Sequence, residues 1–227
     1  MTRHILLLCL LGNPFELNLG GHQRTVLEII EHFKDMPRLE ITVITTTKSS
    51  LKQLTPNHLY SNIVLYEIPI KKEWFENQDL LYDNRNFLYE TVKKIYENIK
   101  HPITLVHSTY WISGLLASQL CIEYHLTQIH SVISTSCERK RNGFSPVSSH
   151  QYESEQFFLP KVDRIISITE SEYELLIEKY HIEPHKIIVV GRTVADCFLR
   201  PAHLPSGNLE QDVSVNYNTL ASQDTGW

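Results

Sequence analysis

Two adjacent glycines, Gly20 and Gly21, stand between an apolar run ending at Leu11 and a helical pattern of Val26, Leu27, Ile29, Ile30 and Phe33. A strand, a glycine turn and a helix bring bare backbone N–H groups up to an anionic or hydroxyl-rich ligand. Glycine has no Cβ to hold such a ligand off, and the helix start behind it carries partial positive charge. The loop fits neither G-x-G-x-x-G nor G-x-x-x-x-G-K-[ST]. Three further segments carry groups suited to polar ligands. Lys71 and Lys72 open one, HSTYWISG (His107 to Gly114) forms the second, and STSCERKR (Ser134 to Arg141) the third. Cations, backbone amides and the Tyr110 hydroxyl together suit a phosphorylated sugar or polyol.

Each of these groups also admits a plainer reading. Lys71 and Lys72 can be a solvated pair, and Arg139, Lys140 and Arg141 ordinary surface charge. His107 can be a satisfied buried histidine, and Trp111 a core residue at a helix start. Tyr110 is better suited to presenting its hydroxyl to a cleft. No nucleophile–base–orienter triad and no metal-ligand cluster stand out, so neither a metal nor a cofactor is expected.

The elements that must position these residues alternate along the chain. Strands are expected at Ile5–Leu11, Ile41–Thr46, Ile63–Ile68, Thr104–His107, Ile129–Ser134, Arg164–Ile168 and Lys186–Val190. Helices are expected at Gly21–Lys34, Asn77–Ile99, Ile112–Tyr124, Ser149–Lys161 and Glu170–Tyr180, the last with a capping box of Thr169 and Glu172. Leu54–Asn62 and Pro69–Trp74 read as loops, and Asn142–Pro146 as a turn. The strands are continuous apolar runs, as in a sheet covered on both faces. The pattern predicts an α/β fold with a single Rossmann-like, doubly wound parallel sheet. In such a sheet, ligands bind beyond the carboxyl ends of the strands, and the four segments would converge there. Residues 202–227 turn polar and aperiodic and read as a linker or disordered tail after a domain of residues 1–201.

The 227 residues are 42% hydrophobic and 21% charged, as in an ordinary soluble protein, and the formal net charge is −5. Without a basic stripe, nucleic acid is not an expected partner. Cys9, Cys121, Cys137 and Cys197 form no C-x-x-C pair, which points to reduced thiols in the cytoplasm. The apolar start, MTRHILLLCLLG, also has the look of a short signal peptide, but a buried strand reads the same way. No apolar run is long enough for a membrane span.

The ordered series of motifs resembles the N-terminal domain of a retaining GT-B glycosyltransferase of family 4, the class of sucrose-phosphate synthases and mycothiol glycosyltransferase. Gly20-Gly21 with Val26-Leu27 is similar to its glycine loop and first helix, and VHSTYWISG (Val106–Gly114) to its H-x-H-Y-W-x-S-G stretch. Glu138–Arg141 resembles the basic stretch after its fifth strand. Glu155-Gln156 with Val162–Ile166, and Tyr180–Ile187 with Val189–Gly191 and Arg200-Pro201, resemble its later elements and interdomain linker. The resemblance implies one half of a GT-B fold that binds a sugar or polyol acceptor, phosphorylated or not. A nucleotide-sugar donor would be held by a C-terminal domain, and transfer would proceed with retention. It implies that Gly20, Gly21, Lys71, Lys72, Tyr110, Thr135 and Lys140 line the acceptor side of the cleft, and His107, which opens the HSTYWISG segment, is expected in the cleft with them.

Some positions depart from the family pattern. Thr109 takes the place of the second His of H-x-H-Y-W, and Ser134 that of a His beside the donor sugar. Gln151 takes the place of an Arg that binds acceptor phosphate in some relatives, and Thr193 that of a linker glycine. Residues 202–227 are too few to form a donor domain. The expectation is therefore an acceptor-side half, inactive alone. The alternative is a non-catalytic binding or regulatory partner of a separate donor-domain chain.

Overall fold

The computed structural model describes residues 2–15, 21–48, 54–145 and 148–191. Gly20, Thr193 and the 202–227 segment lie outside the described residues. Among the described residues, strand β1 (Arg3–Cys9) is followed by α1 (Gly21–Phe33), β2 (Leu39–Thr47), β3 (Asn57–Tyr60) and β4 (Ile63–Pro69). Then come α2 (Lys72–Glu76), α3 (Gln78–Asp83), α4 (Arg85–Glu97), β5 (Leu105–Thr109), α5 (Trp111–Tyr124) and β6 (Gln128–Ser131). The series closes with α6 (Ser136–Arg141), α7 (Gln151–Phe158), β7 (Arg164–Ser167), α8 (Glu170–Tyr180) and β8 (Ile187–Val189). The strands form one eight-stranded sheet in the order β3-β4-β2-β1-β5-β6-β7-β8. Every neighbouring pair is parallel except β3 with β4. This is the α/β, doubly wound sheet that the alternating pattern predicts.

β1 shows why its sequence is a continuous apolar run. Leu6, Leu8 and Leu10 enter one core with residues of α4 and α5, while Leu7 and Cys9 enter a second core with Val26 and Ile30 of α1. Both faces are covered, so alternation has no solvent side to record. Helix α5 is buried nearly all round, from Trp111 and Ile112 to Leu120 and Cys121. Such a helix has little amphipathic stripe and packs as core. Gly114 permits this packing. A Cβ there would lie 2.4 Å from the Phe158 ring and 2.7 Å from that of His130.

Several elements differ from the expected ones. Leu54–Asn62 contains strand β3, held only by an irregular antiparallel pairing to β4 at the sheet edge. Helix α2 begins at Lys72, inside the expected loop. The expected Asn77–Ile99 helix is two helices joined at Asn84, whose Nδ2 donates to Leu80 O at 2.8 Å and closes the first. Asn77 caps that first helix by accepting from Asp79 N. Asparagine competes for backbone groups in this way and favours helix ends. Ser136–Arg141 forms α6, capped by Thr135 Oγ1, which accepts from Glu138 N at 3.1 Å. The helix expected to reach Lys161 ends at Phe158 and tightens to a 3-10 turn through Pro160. At α8 the threonine half of the expected capping box is present: Thr169 Oγ1 accepts from Glu172 N at 3.1 Å.

Candidate functional site

The strand order reverses between β1 and β5, and this is where an open α/β sheet binds ligands. Two hydrogen bonds fasten the loops that leave these strands. Leu10 N donates to Ser113 Oγ of α5 at 2.8 Å, and His22 Nε2 of α1 pairs with Thr109 Oγ1 at 2.9 Å. The β1 loop is also pinned to β2. Gly12 N donates to Thr46 Oγ1, and Thr45 Oγ1 donates to Gly12 O. Gly12 has φ +100°, and a Cβ there would press on Gln23 Nε2 at 2.9 Å. It is this glycine whose conformation excludes a side chain. Gly21, the described member of the glycine pair, is exposed and opens α1.

Tyr110 sits at the end of β5 with φ 68° and ψ 156°, a backbone region that bulky residues avoid at a cost of about 1–3 kcal/mol. Its carbonyl accepts from Gly114 N at 2.9 Å, and its N–H reaches Ser131 O at 3.4 Å. Its hydroxyl lies 3.3 Å from the amide of Gln78, which also accepts from Trp111 Nε1 at 2.8 Å. Burial pushes the phenol up to about 12. The charges of Arg139 and Glu155 act on it in opposite directions. Strain of this kind, held by surrounding bonds, fixes the ring at the strand ends.

Beside Tyr110 lies a small pocket with a cavity volume of about 10 Å³, room for roughly one water. Trp111, His130, Ser134, Thr135 and Glu155 are among its walls. Glu155 is 3% exposed. Its carboxyl accepts from Ser136 N at 3.0 Å, Gln151 Nε2 at 2.7 Å and Tyr180 OH at 2.5 Å. Burial pushes its pKa up to about 7, against those three bonds. Gln151 is fully buried and also donates to Ser134 O at 3.0 Å.

Three histidines near the strand ends are neutral for the same reason. Burial lowers His22 and His107 to about 4, and His130 to about 3. His130 Nδ1 bonds Ser108 Oγ at 2.9 Å on the α5 side of the sheet. His107 pairs in register with Leu7, so it faces the α1 side, where its Nε2 meets Ser131 Oγ at 2.8 Å.

The predicted site residues therefore divide. Tyr110 and Thr135 come together around the small pocket. His107 ties β5 to β6 on the opposite face. Lys71, Lys72 and Lys140 are exposed, and Lys72 pairs with Glu76 at 3.4 Å. Sequence reasoning did not single out His22 or Gln78. His22 had a signal, since it directly follows the glycine pair; Gln78 had none. No group of three or more His, Cys, Asp or Glu among the described residues is arranged to hold a metal. None of their helices is long and apolar enough to cross a membrane.

The profile of Glycosyltransferase Family 4 matches residues 19–195. A D-inositol 3-phosphate glycosyltransferase from Kineococcus radiotolerans is 28% identical over 101 residues, which cover 43% of this chain and 23% of the relative. Among solved structures, sucrose-phosphate synthase from Thermosynechococcus elongatus superposes with a TM-score of 0.65 at 16% identity, over 83% of this chain and 48% of that one. UGT89C1 of Arabidopsis thaliana, complexed with UDP, gives 0.57 at 11% identity, over 85% and 50%. The UDP-GlcNAc 2-epimerase of Methanocaldococcus jannaschii gives 0.54 at 16%, over 87% and 47%. The chain spans about half the length of these solved relatives. They share its fold across different chemistries, so the fold alone does not select a reaction.

Proposed function

The chain belongs to glycosyltransferase family 4, and from that membership we propose that it forms the acceptor-binding half of a retaining glycosyltransferase. The observation that carries this reading is the meeting of α1 and the β5–α5 turn at the strand-order reversal, through the His22–Thr109 bond and the strained Tyr110. There the starts of α1 and α5 bring partial positive charge and backbone N–H groups to one crevice. Gly21, Tyr110 and Thr135 would face the acceptor, with Gly20 adjacent in sequence and Lys71, Lys72 and Lys140 at the rim. The acceptor is a sugar or polyol, in keeping with relatives named for inositol phosphate and for sucrose phosphate.

The donor nucleotide-sugar would be held by a second domain or chain facing this crevice, because the described residues form a single sheet domain. The contribution of this half to catalysis is placement of the acceptor hydroxyl, which converts a bimolecular encounter into a near-attack geometry. A cytoplasmic setting fits Cys9, Cys121 and Cys137, which are free thiols.

Two measurements on the 227-residue chain test this reading. With UDP-glucose and a panel of polyols, no sugar transfer is expected. Ligand-observed NMR is expected to detect polyol binding that weakens at least threefold in Tyr110→Phe. Transfer by the chain alone, or binding of UDP-glucose with no polyol binding, would overturn it.

A further inference from the structure

The small pocket at the end of β6 has a size and a charge that restrict what can enter it. Its cavity volume of about 10 Å³ accommodates roughly one oxygen-sized group. A phosphoryl group carries three outer oxygens and a charge of about −1.5 to −2 at neutral pH. No Lys or Arg is among the residues that line the pocket. The polar part of the lining is uncharged or acidic, namely the Tyr110 phenol, the Ser134 and Thr135 hydroxyls, the neutral His130 ring and the Glu155 carboxyl, and Trp111, Val132, Ile133 and Leu159 make the apolar remainder.

Nearby cations are committed elsewhere or exposed. Arg139 donates its Nε to Ser145 O at 3.0 Å and lays its guanidinium over the Phe144 ring at 5.7 Å. Its charge does reach the Tyr110 phenol, but the charge of Glu155 reaches the same phenol with the opposite sign. Lys71, Lys72 and Lys140 are exposed. Glu155 is held on both oxygens: Ser136 N lies 3.3 Å from Oε1 and 3.0 Å from Oε2, with Gln151 Nε2 on the first and Tyr180 OH on the second. Its acceptor positions are therefore taken by the protein, and this buried carboxyl acts on the pocket through its charge.

We propose that this pocket receives a single uncharged hydroxyl of the acceptor and rejects a phosphoryl group there, so that the acceptor is a neutral sugar or polyol. This rests on the acceptor-side reading above and narrows it. The hydroxyl bonds the Ser134 and Thr135 side chains, with the Glu155 carboxyl on the same pocket wall. A charged oxygen in the same place meets a carboxyl and no cation. Leaving buried polar groups unpaired, or facing like charges, is what makes such a site selective.

The experiment compares myo-inositol, myo-inositol 1-phosphate and inorganic phosphate as probes of the intact 227-residue chain, by calorimetry and ligand-observed NMR at pH 7.5. Wild type is expected to bind the polyol at least threefold more tightly than its monophosphate, and inorganic phosphate not measurably. Ser134→Arg places a guanidinium at a half-buried position on the pocket wall. It is expected to raise monophosphate affinity at least tenfold. Glu155→Gln removes the acidic charge with little change of shape, and is expected to narrow the polyol preference to below twofold. Wild type binding the monophosphate more tightly than the polyol would overturn the selectivity while leaving the acceptor-side reading in place. Binding of none of the probes, or of any other polyol, would overturn both.

Discussion

The floor of the crevice and its rim are built on opposite principles. The floor is buried and polar and carries no lysine or arginine: His22 against Thr109, Tyr110 against Gln78, and Glu155 holding Ser136, Gln151 and Tyr180. The rim carries the charge: Lys71, Lys72 and Lys140 are exposed, and Lys72 is paired to its own helix neighbour Glu76. Burying charge is costly without a partner, whereas neutral polar groups can be buried once hydrogen-bonded. Position is therefore fixed by the floor and long-range attraction is left to the rim. If this division holds, changes in the floor cost stability as well as binding, and changes at the rim cost almost none.

The largest effect is expected at Gly114. An added methyl would overlap Phe158 at 2.4 Å and His130 at 2.7 Å, both rings held inside the core. Gly114→Ala is expected to destabilise the chain by about 3 kcal/mol or to prevent its folding, since overpacking a dense core forces side chains off their rotamers. Urea denaturation measures it, and a loss below about 1 kcal/mol would show that α5 can move away from α7. Next is Glu155→Ala. It strands Ser136 N, Gln151 Nε2 and the Tyr180 hydroxyl, and should cost about 2–3 kcal/mol. Glu155→Gln keeps acceptor capacity and should recover at least half of that. Equal losses in the two variants would mean that packing, not hydrogen bonding, is what Glu155 supplies.

The same floor sets a pH dependence. His22, His107 and His130 have folded values of about 4, 4 and 3, below an unfolded value of 6.5. As pH falls below 6.5 the unfolded chain binds protons that the folded one does not, so stability is lost on the acid side. Glu155 and Glu172 run the other way. Burial raises them to about 7 and about 8 from 4.5, and the neighbouring Glu138 charge adds to the rise at Glu172. Between 4.5 and those values the folded chain keeps protons that the unfolded chain has released, so their contribution falls as pH rises. Below 6.5 the three histidines outweigh the two carboxyls; above it only the carboxyls act. Stability should peak near pH 6.5, and by pH 8 the two carboxyls together should cost about 2–3 kcal/mol, at about 1.4 kcal/mol per group and pH unit. Glu172→Gln should flatten the alkaline side. A stability profile level from pH 6.5 to 8 would show that neither carboxyl is held protonated.

The two regions were unequally legible in the sequence. Periodicity exposed the fold, because continuous runs such as Leu6–Leu10 record burial on both faces of a sheet directly. It missed β3, a four-residue edge strand with a mixed burial pattern, since nothing apolar marks a strand held by only one neighbour. It also joined α3 to α4, because Asn84 ends a helix by a side-chain bond that leaves the apolar spacing intact. In the site, residue type drew attention to charge, and charge is what the rim displays. The floor groups were harder to find because their roles depend on partners far apart in the chain. His22 meets Thr109 across 87 positions, and Tyr110 is held by Gln78 across 32. Glu155 was visible only through a family resemblance; its three donors come from α6, α7 and α8, which only the sheet order brings together.

The smallest expected effects belong to the rim, and they decide whether the division is real. Lys71→Ala, Lys72→Ala and Lys140→Ala should each change unfolding free energy by less than about 0.5 kcal/mol, as exposed charges and surface ion pairs commonly do. For Lys72 this includes loss of the Glu76 pair, whose side chains are 73% and 61% exposed and well solvated. Each variant should also lower polyol affinity less than threefold, because an uncharged hydroxyl gains little from a solvated ammonium. Their combined effect should instead appear in the association rate of an anionic probe, and should fade between about 50 and 200 mM salt as screening shortens the range of the field. A single rim lysine whose removal weakened polyol binding tenfold would move recognition from the floor to the rim. It would also require that lysine to leave the solvent-facing position in which α2, or α6 for Lys140, holds it.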